Sequence, residues 1–225
     1  MKKIQTFLLL LFVWLAADSQ DFKWKPTAGS NICFQNIADL GIKGKKGIKP
    51  GLDIGLIAEI SFKQSLSIEA GFFYTLNKWS LHRLFIYPFP TTADLPEVVE
   101  GFNFNLLKVP VNILFKQKKA NPTFGGIGLL TKYNFSSHRN GKVVNKNEYY
   151  SSKFTIDTKN GNKAGVGVVC TFGKEFKIGK QPVSLRVNYD TDLSEWRYPT
   201  NFELEKNTYF PMRTHNFSLL FSIIL

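Results

Sequence analysis

Eight stretches of period-2 alternation, joined by connections that are by turns short and long, constrain this chain more than any other feature. Successive side chains of a strand point to opposite faces, so alternation marks a strand with one apolar face. The last stretch is the clearest: Phe217, Leu219, Phe221, Ile223 and Leu225 share one face, with Ser218 and Ser222 on the other. Leu52, Ile54, Leu56, Ala58, Ile60 and Phe62 oppose Asp53, Gly55, Glu59 and Ser61, and Leu66, Ile68, Ala70, Phe72 and Tyr74 oppose Ser67, Glu69, Gly71 and Thr75. A fourth stretch sets Leu107, Val109, Val111, Ile113 and Phe115 against Lys108, Pro110, Asn112 and Lys116. The fifth, about Thr123 to Phe135, sets Ile127, Leu129 and Tyr133 against Gly126, Gly128 and Lys132. Ala164, Val166, Val168, Cys170 and Phe172 oppose Gly165, Gly167, Thr171 and Gly173, and Val183, Leu185, Val187 and Tyr189 oppose Ser184, Arg186, Asn188 and Asp190. The first stretch, roughly Ala28 to Ile37, is the least regular. Helical periodicity competes only over Ala93 to Glu100, inside a connection.

The connections Lys63 to Ser65, Gln117 to Pro122 and Lys174 to Gln181 are short, whereas Ala38 to Pro50, Asn77 to Gly101, Ser136 to Asn162 and Asp192 to Thr214 are longer. Strict alternation of the two kinds predicts an all-β, eight-stranded antiparallel up-and-down transmembrane β-barrel, with short periplasmic turns and long extracellular loops. A soluble, ligand-binding barrel alternates equally with its faces reversed. Two features favour the membrane form. Glycines gather on the charged face, where a narrow lumen needs small residues beside long ones. Aromatic residues fall at strand ends, Phe62, Phe115, Phe124 and Phe172 on the short-turn side and Tyr74, Phe104, Tyr133, Tyr189 and Phe217 on the other, which reads as two interfacial girdles about 25 Å apart.

The N-terminus agrees. Lys2 and Lys3 precede an apolar run from Phe7 to Ala17, too short for a spanning helix and followed by small residues. Residues 1–19 are therefore expected to be a removed signal peptide and 20–225 one outer-membrane barrel domain of a Gram-negative cell. The formal charge is +12, and loss of Lys2, Lys3 and Asp18 leaves 27 Lys/Arg against 16 Asp/Glu. Such a surface suits anions, and secretion favours outer-membrane lipid and lipopolysaccharide over nucleic acid. Lys43, Lys45, Lys46 and Lys49 are the expected lipopolysaccharide contacts at the extracellular rim. Cys33 and Cys170 fall on opposite faces and are expected to be free thiols.

No catalytic chemistry is legible. His82, His138 and His215 are the available imidazole bases, and His215 has opposite face parity to nearby Ser218. The chain contains neither a Gly-x-Ser-x-Gly elbow nor a His-Glu-x-x-His motif, so no enzyme, metal or cofactor is expected. The polar constellation is internal. A turn centred on Gln64 makes Glu59 and Glu69 directly opposed and inward, an arrangement that requires a cation between them. Lys108 and Arg186 are the candidates, with Arg186 expected to serve both glutamates at similar depth.

Several of these segments resemble the PorT-like outer-membrane β-barrel family. Gly51-Leu52-Asp53-Ile54-Gly55-Leu56 through Leu66-Ser67-Ile68-Glu69-Ala70-Gly71-Phe72-Phe73-Tyr74 looks like its first tight hairpin. Leu106 to Lys116, with the Val109-Pro110 pair, is similar to its fourth strand, and Pro122-Thr123-Phe124-Gly125-Gly126-Ile127-Gly128 to its fifth. The chain departs at Lys108-Val109, where an acidic residue usually precedes the proline, and at Leu225, where many barrels end in an aromatic residue. The resemblance implies a cell-envelope protein, in one family case associated with secretion. With loop aromatics such as Trp79, Tyr87, Trp196, Tyr198 and Tyr209, it leads to the expectation of a monomeric, non-catalytic barrel whose loops meet an envelope protein partner. A small-solute porin or transport-associated barrel is the alternative.

Overall fold

The computed structural model describes residues 21–37, 44–63, 65–84, 97–144, 151–157, 164–194, 196–199 and 209–225. The expected signal peptide lies outside them. Ten strands are present among the described residues: β1 (Asp21–Ile37), β2 (Gly44–Lys63), β3 (Leu66–Leu84), β4 (Glu97–Lys116), β5 (Thr123–Val144), β6 (Ser151–Asp157), β7 (Ala164–Ile178), β8 (Gln181–Asp192), β9 (Trp196–Pro199) and β10 (Tyr209–Ile223). Eight of them, all but β6 and β9, form a ring of antiparallel pairs that closes between β1 and β10. Closure leaves no unpaired edge, the condition for crossing a bilayer with strands.

The stagger of this ring sets its shape. From Trp24, successive partners are Ala58, Ala70, Val111, Leu129, Val168, Thr191 and His215, and the ring returns to β1 at Phe34, ten residues above its start. With strands about 4.8 Å apart and about 3.3 Å per residue, that stagger tilts them by about 40° and gives a radius of about 8 Å. The interior therefore has room for side chains and little more.

Side-chain direction follows the alternation. Phe72, Leu129 and Phe172 are 59%, 68% and 64% exposed on the outer wall, whereas Glu59, Arg186 and Ser222 are at most 1% exposed inside. Apolar-out, polar-in is the membrane arrangement, and it excludes a soluble barrel. Cys33 is buried, Cys170 exposed, and both thiols are free. Several glycines make the lumen possible: a Cβ on Gly55 or Gly71 would meet the ring of Phe73 at 2.5 or 2.6 Å. At the β7–β8 turn Gly179 has a φ of 62°, the left-handed conformation a two-residue hairpin needs.

The strands run further than their apolar alternation. At about 2.5 Å of axial rise per tilted residue, the 20 residues of β4 reach well beyond a 25 Å apolar band. The described parts of the expected loops are therefore largely paired strand. β3 and β4 stay paired up to Leu84 and Glu97, β6 pairs with the upper part of β5, and β9 with that of β10. Glu97–Glu100, where a helical pattern competed, is strand. Above the bilayer both faces meet water or other protein, so the apolar face that reveals a strand disappears.

Candidate functional site: the lumen and its rims

Glu59 and Glu69 are direct partners in the β2–β3 register and both point inward. Each has its own cations. Glu59 is bound by the Nζ groups of Lys25 and Lys116. Glu69 accepts from Arg186 Nη1 on both oxygens, at 2.8 and 2.9 Å, and from Asn112 Nδ2 at 2.9 Å. A third carboxylate, Glu175, bridges Lys25 at 3.0 Å and Lys116 at 2.7 Å. Three carboxylates thus face three cations at the periplasmic end. The expected sharing of Arg186 is not found, because Lys25 and Lys116 reach Glu59 first.

Phe124 sits at the centre of this cluster, 1% exposed, with Lys25 and Lys116 each 5.9 Å and Arg186 5.2 Å from its ring centroid. The Arg186 Nε and Nη2 atoms have no hydrogen-bond partner among the described residues, and the ring face compensates that side of the guanidinium. Gly173 makes room: a Cβ there would lie 2.5 Å from Phe124 Cζ and 2.9 Å from Arg186 Cβ. Phe124 is therefore not a girdle residue. It shares the inward parity of Gly126 and Lys132.

Lys108 belongs to a second cluster nearer the extracellular end. Its Nζ is 3.0 Å from Asp190, which also lies 2.6 Å from Lys132 and accepts from Asn216 at 2.8 Å. Lys132 reaches Asp192 at 2.7 Å, and Thr75 donates to Asp53. Between the two clusters Phe73, Pro110, Leu130, Val169 and Leu220 form an apolar layer, and with Asp53, Lys108 and Asp190 they line a cavity of about 20 Å³. That is room for about one water.

The outer wall carries the girdles with two changes. Phe115 and Phe172 are exposed near the short turns, Tyr74 and Tyr133 are exposed towards the other rim, and Phe62 and Tyr189 are half-buried. Phe115 lies eight residues down β4 from Leu107, the partner of Tyr133, an axial rise of about 20 Å. Phe104, like Phe124, is internal, since it shares the parity of Lys108. Trp79, expected in a loop, is a β3 residue 4% exposed on the inner face, stacked on Phe102 at 4.0 Å. Tyr87 lies outside the described residues.

Lys45 and Lys46 lie on β2 opposite His82 and Leu81, and Lys49, exposed, lies opposite Lys78. Lys43 and the side chains of Lys45 and Lys46 fall outside the described structure. His215 is on the outer wall, its Nδ1 2.9 Å from the Tyr189 hydroxyl and 3.0 Å from that of Thr191, while Ser218 is buried in the lumen. The barrel wall separates the two.

Residues 17–194 match the family described as outer membrane protein beta-barrel domain. The chain belongs to that family. Among solved structures it is similar to the outer membrane protein OprG from Pseudomonas aeruginosa, at 9% identity and a TM-score of 0.51, covering 92% of this chain and 97% of OprG. It is also similar to Ail, the attachment invasion locus protein of Yersinia pestis, at 10% identity and a TM-score of 0.40, covering 92% of this chain and 100% of Ail. Neisserial surface protein A matches at 11% identity and a TM-score of 0.41, covering 90% and 96%. No curated protein matches the sequence. This member of the outer-membrane barrel family is accordingly located in the outer membrane, and no catalytic family is indicated for it.

Proposed function

We propose that this protein is a closed barrel anchoring extracellular β-hairpins in a Gram-negative outer membrane, where they act as a non-catalytic binding or assembly element of the cell envelope. The observation that carries this reading is the filled lumen. Among the described residues, two ionic clusters and the apolar layer of Phe73, Leu130, Val169 and Leu220 fill the interior, and the cavity at that layer is about 20 Å³. A hydrated path for solutes needs continuous polar space, which an eight-stranded ring of this stagger does not supply. The hairpins extend β3, β4 and β5 beyond the girdle residues and present a large surface outside the membrane. The PorT-like segments of β2 to β5 add an association with protein secretion to this reading. Lys43, Lys45, Lys46 and Lys49 are proposed to meet lipopolysaccharide phosphates at that rim.

Conductance in planar bilayers tests the closed anchor, with silence expected. Defined single-channel steps would overturn it and favour a small-solute porin. Cross-linking in cells tests the hairpins: shortening the β5–β6 hairpin is expected to remove a co-purifying envelope protein, and an unchanged set of partners would count against the binding role.

A further inference from the structure

The periplasmic end of the barrel carries a feature that plays no part in the lumen or in the hairpins. The β4–β5 turn and the β7–β8 hairpin lie side by side, with Thr123 opposite Lys174 and the Glu175 amide donating to the Pro122 carbonyl at 2.9 Å. Together they present Lys118, Lys119, Lys174, Lys177 and Lys180, all exposed. The acidic residue in these two segments, Glu175, turns inward and is occupied by Lys25 and Lys116. It neutralises none of the five.

The wall beside these lysines is lipid-facing. Phe115, Phe172 and Ile178 are 63%, 64% and 58% exposed, and Lys174 lies on the outward face of β7 between Phe172 and Phe176. Ammonium groups on long apolar stems, set at the lower edge of an aromatic girdle, lie at the depth of inner-leaflet headgroups. A soluble acidic partner would call for cations directed away from the membrane, whereas Lys174 stands on the wall that meets lipid.

We infer that this two-turn rim is a binding site for anionic phospholipid of the periplasmic leaflet. The lysines take the phosphodiester headgroup, and Phe115 and Phe172 pack against its acyl chains. The site is at the opposite end from the hairpins, so it stands or falls independently of their role.

The test uses the folded protein in neutral detergent micelles, titrated with phosphatidylglycerol or with phosphatidylcholine of the same chains and followed by native mass spectrometry. Phosphatidylglycerol is expected to be retained at least about tenfold more tightly, given up to about fivefold per surface lysine. The preference is expected to shrink as salt is raised, because screening weakens it. The K118Q/K119Q/K174Q/K177Q/K180Q variant is expected to lose the preference, and Arg at the same five positions to keep it, with heat-modifiable gel mobility confirming that each is folded. If the Gln variant does not fold, the Arg variant and the salt titration decide. The site is overturned if the native protein does not distinguish the two lipids, if the Gln variant retains the preference, or if only an acidic peptide such as polyglutamate binds.

Discussion

Arg186→Leu isolates the internal ionic cluster. Arg186 gives Glu69 two hydrogen bonds, and both side chains are at most 2% exposed. After the substitution Glu69 keeps only the Asn112 bond, which offsets part of the cost of a stranded buried charge. Removing one partner of a buried pair costs roughly 3 to 5 kcal/mol, so a loss of about 3 kcal/mol or more is expected. Arg186→Leu with Glu69→Gln leaves no charge stranded, keeps an acceptor for Asn112, and is expected to recover at least about 2 kcal/mol. Adding Glu59→Gln reverses the gain, since Lys25 and Lys116 then share Glu175 alone. Urea unfolding in lipid vesicles, followed by tryptophan fluorescence, orders the three variants. A double variant no more stable than the single one would refute the pairing. A triple variant more stable than the double would restore an arginine shared by both glutamates.

Two further predictions concern the wall and the thiols. Leu129, 68% exposed midway along the lipid-facing surface, replaced by Arg is expected to destabilise the barrel by about 2 to 4 kcal/mol in vesicles, and a value near zero would place that face in water. Cys170 is exposed on the outer wall and Cys33 buried. A membrane-soluble maleimide is therefore expected to label Cys170 alone in the reconstituted protein and a charged, impermeant one neither, with Cys33 reacting only after denaturation; early labelling of Cys33, read by peptide mass spectrometry, would show an open lumen.

The ionic site was partly legible. The opposition of Glu59 and Glu69 follows from the position of one tight turn, because antiparallel register propagates directly from the hairpin. Lys25 escapes notice because Ser30 interrupts the apolar face that Phe22, Trp24, Pro26 and Ala28 begin, and Glu175 because it stands among the lysines of a turn-rich segment. Phe124 and Phe104 are a different failure. Their parity with Gly126 and Lys108 marked them as internal, but their place near strand ends suggested a girdle. Parity prevails because a strand cannot turn one side chain to the other face without a bulge. One occurs in β5, where Asn105 pairs with Ser136 and Leu106 with Asn134, so that Phe135 stays outward and Ser137 lies inside.

The number of strands in the membrane ring, its sidedness and the alternation of faces along each strand were determined by the sequence alone, because water and hydrocarbon impose opposite demands on alternate residues of one strand. Which cation meets which carboxylate was decided only by the tertiary structure. Arg186 and Glu69 are 117 residues apart, and their depths become equal through a stagger summed over the four strand pairs from β3 to β8. No local pattern contains that sum.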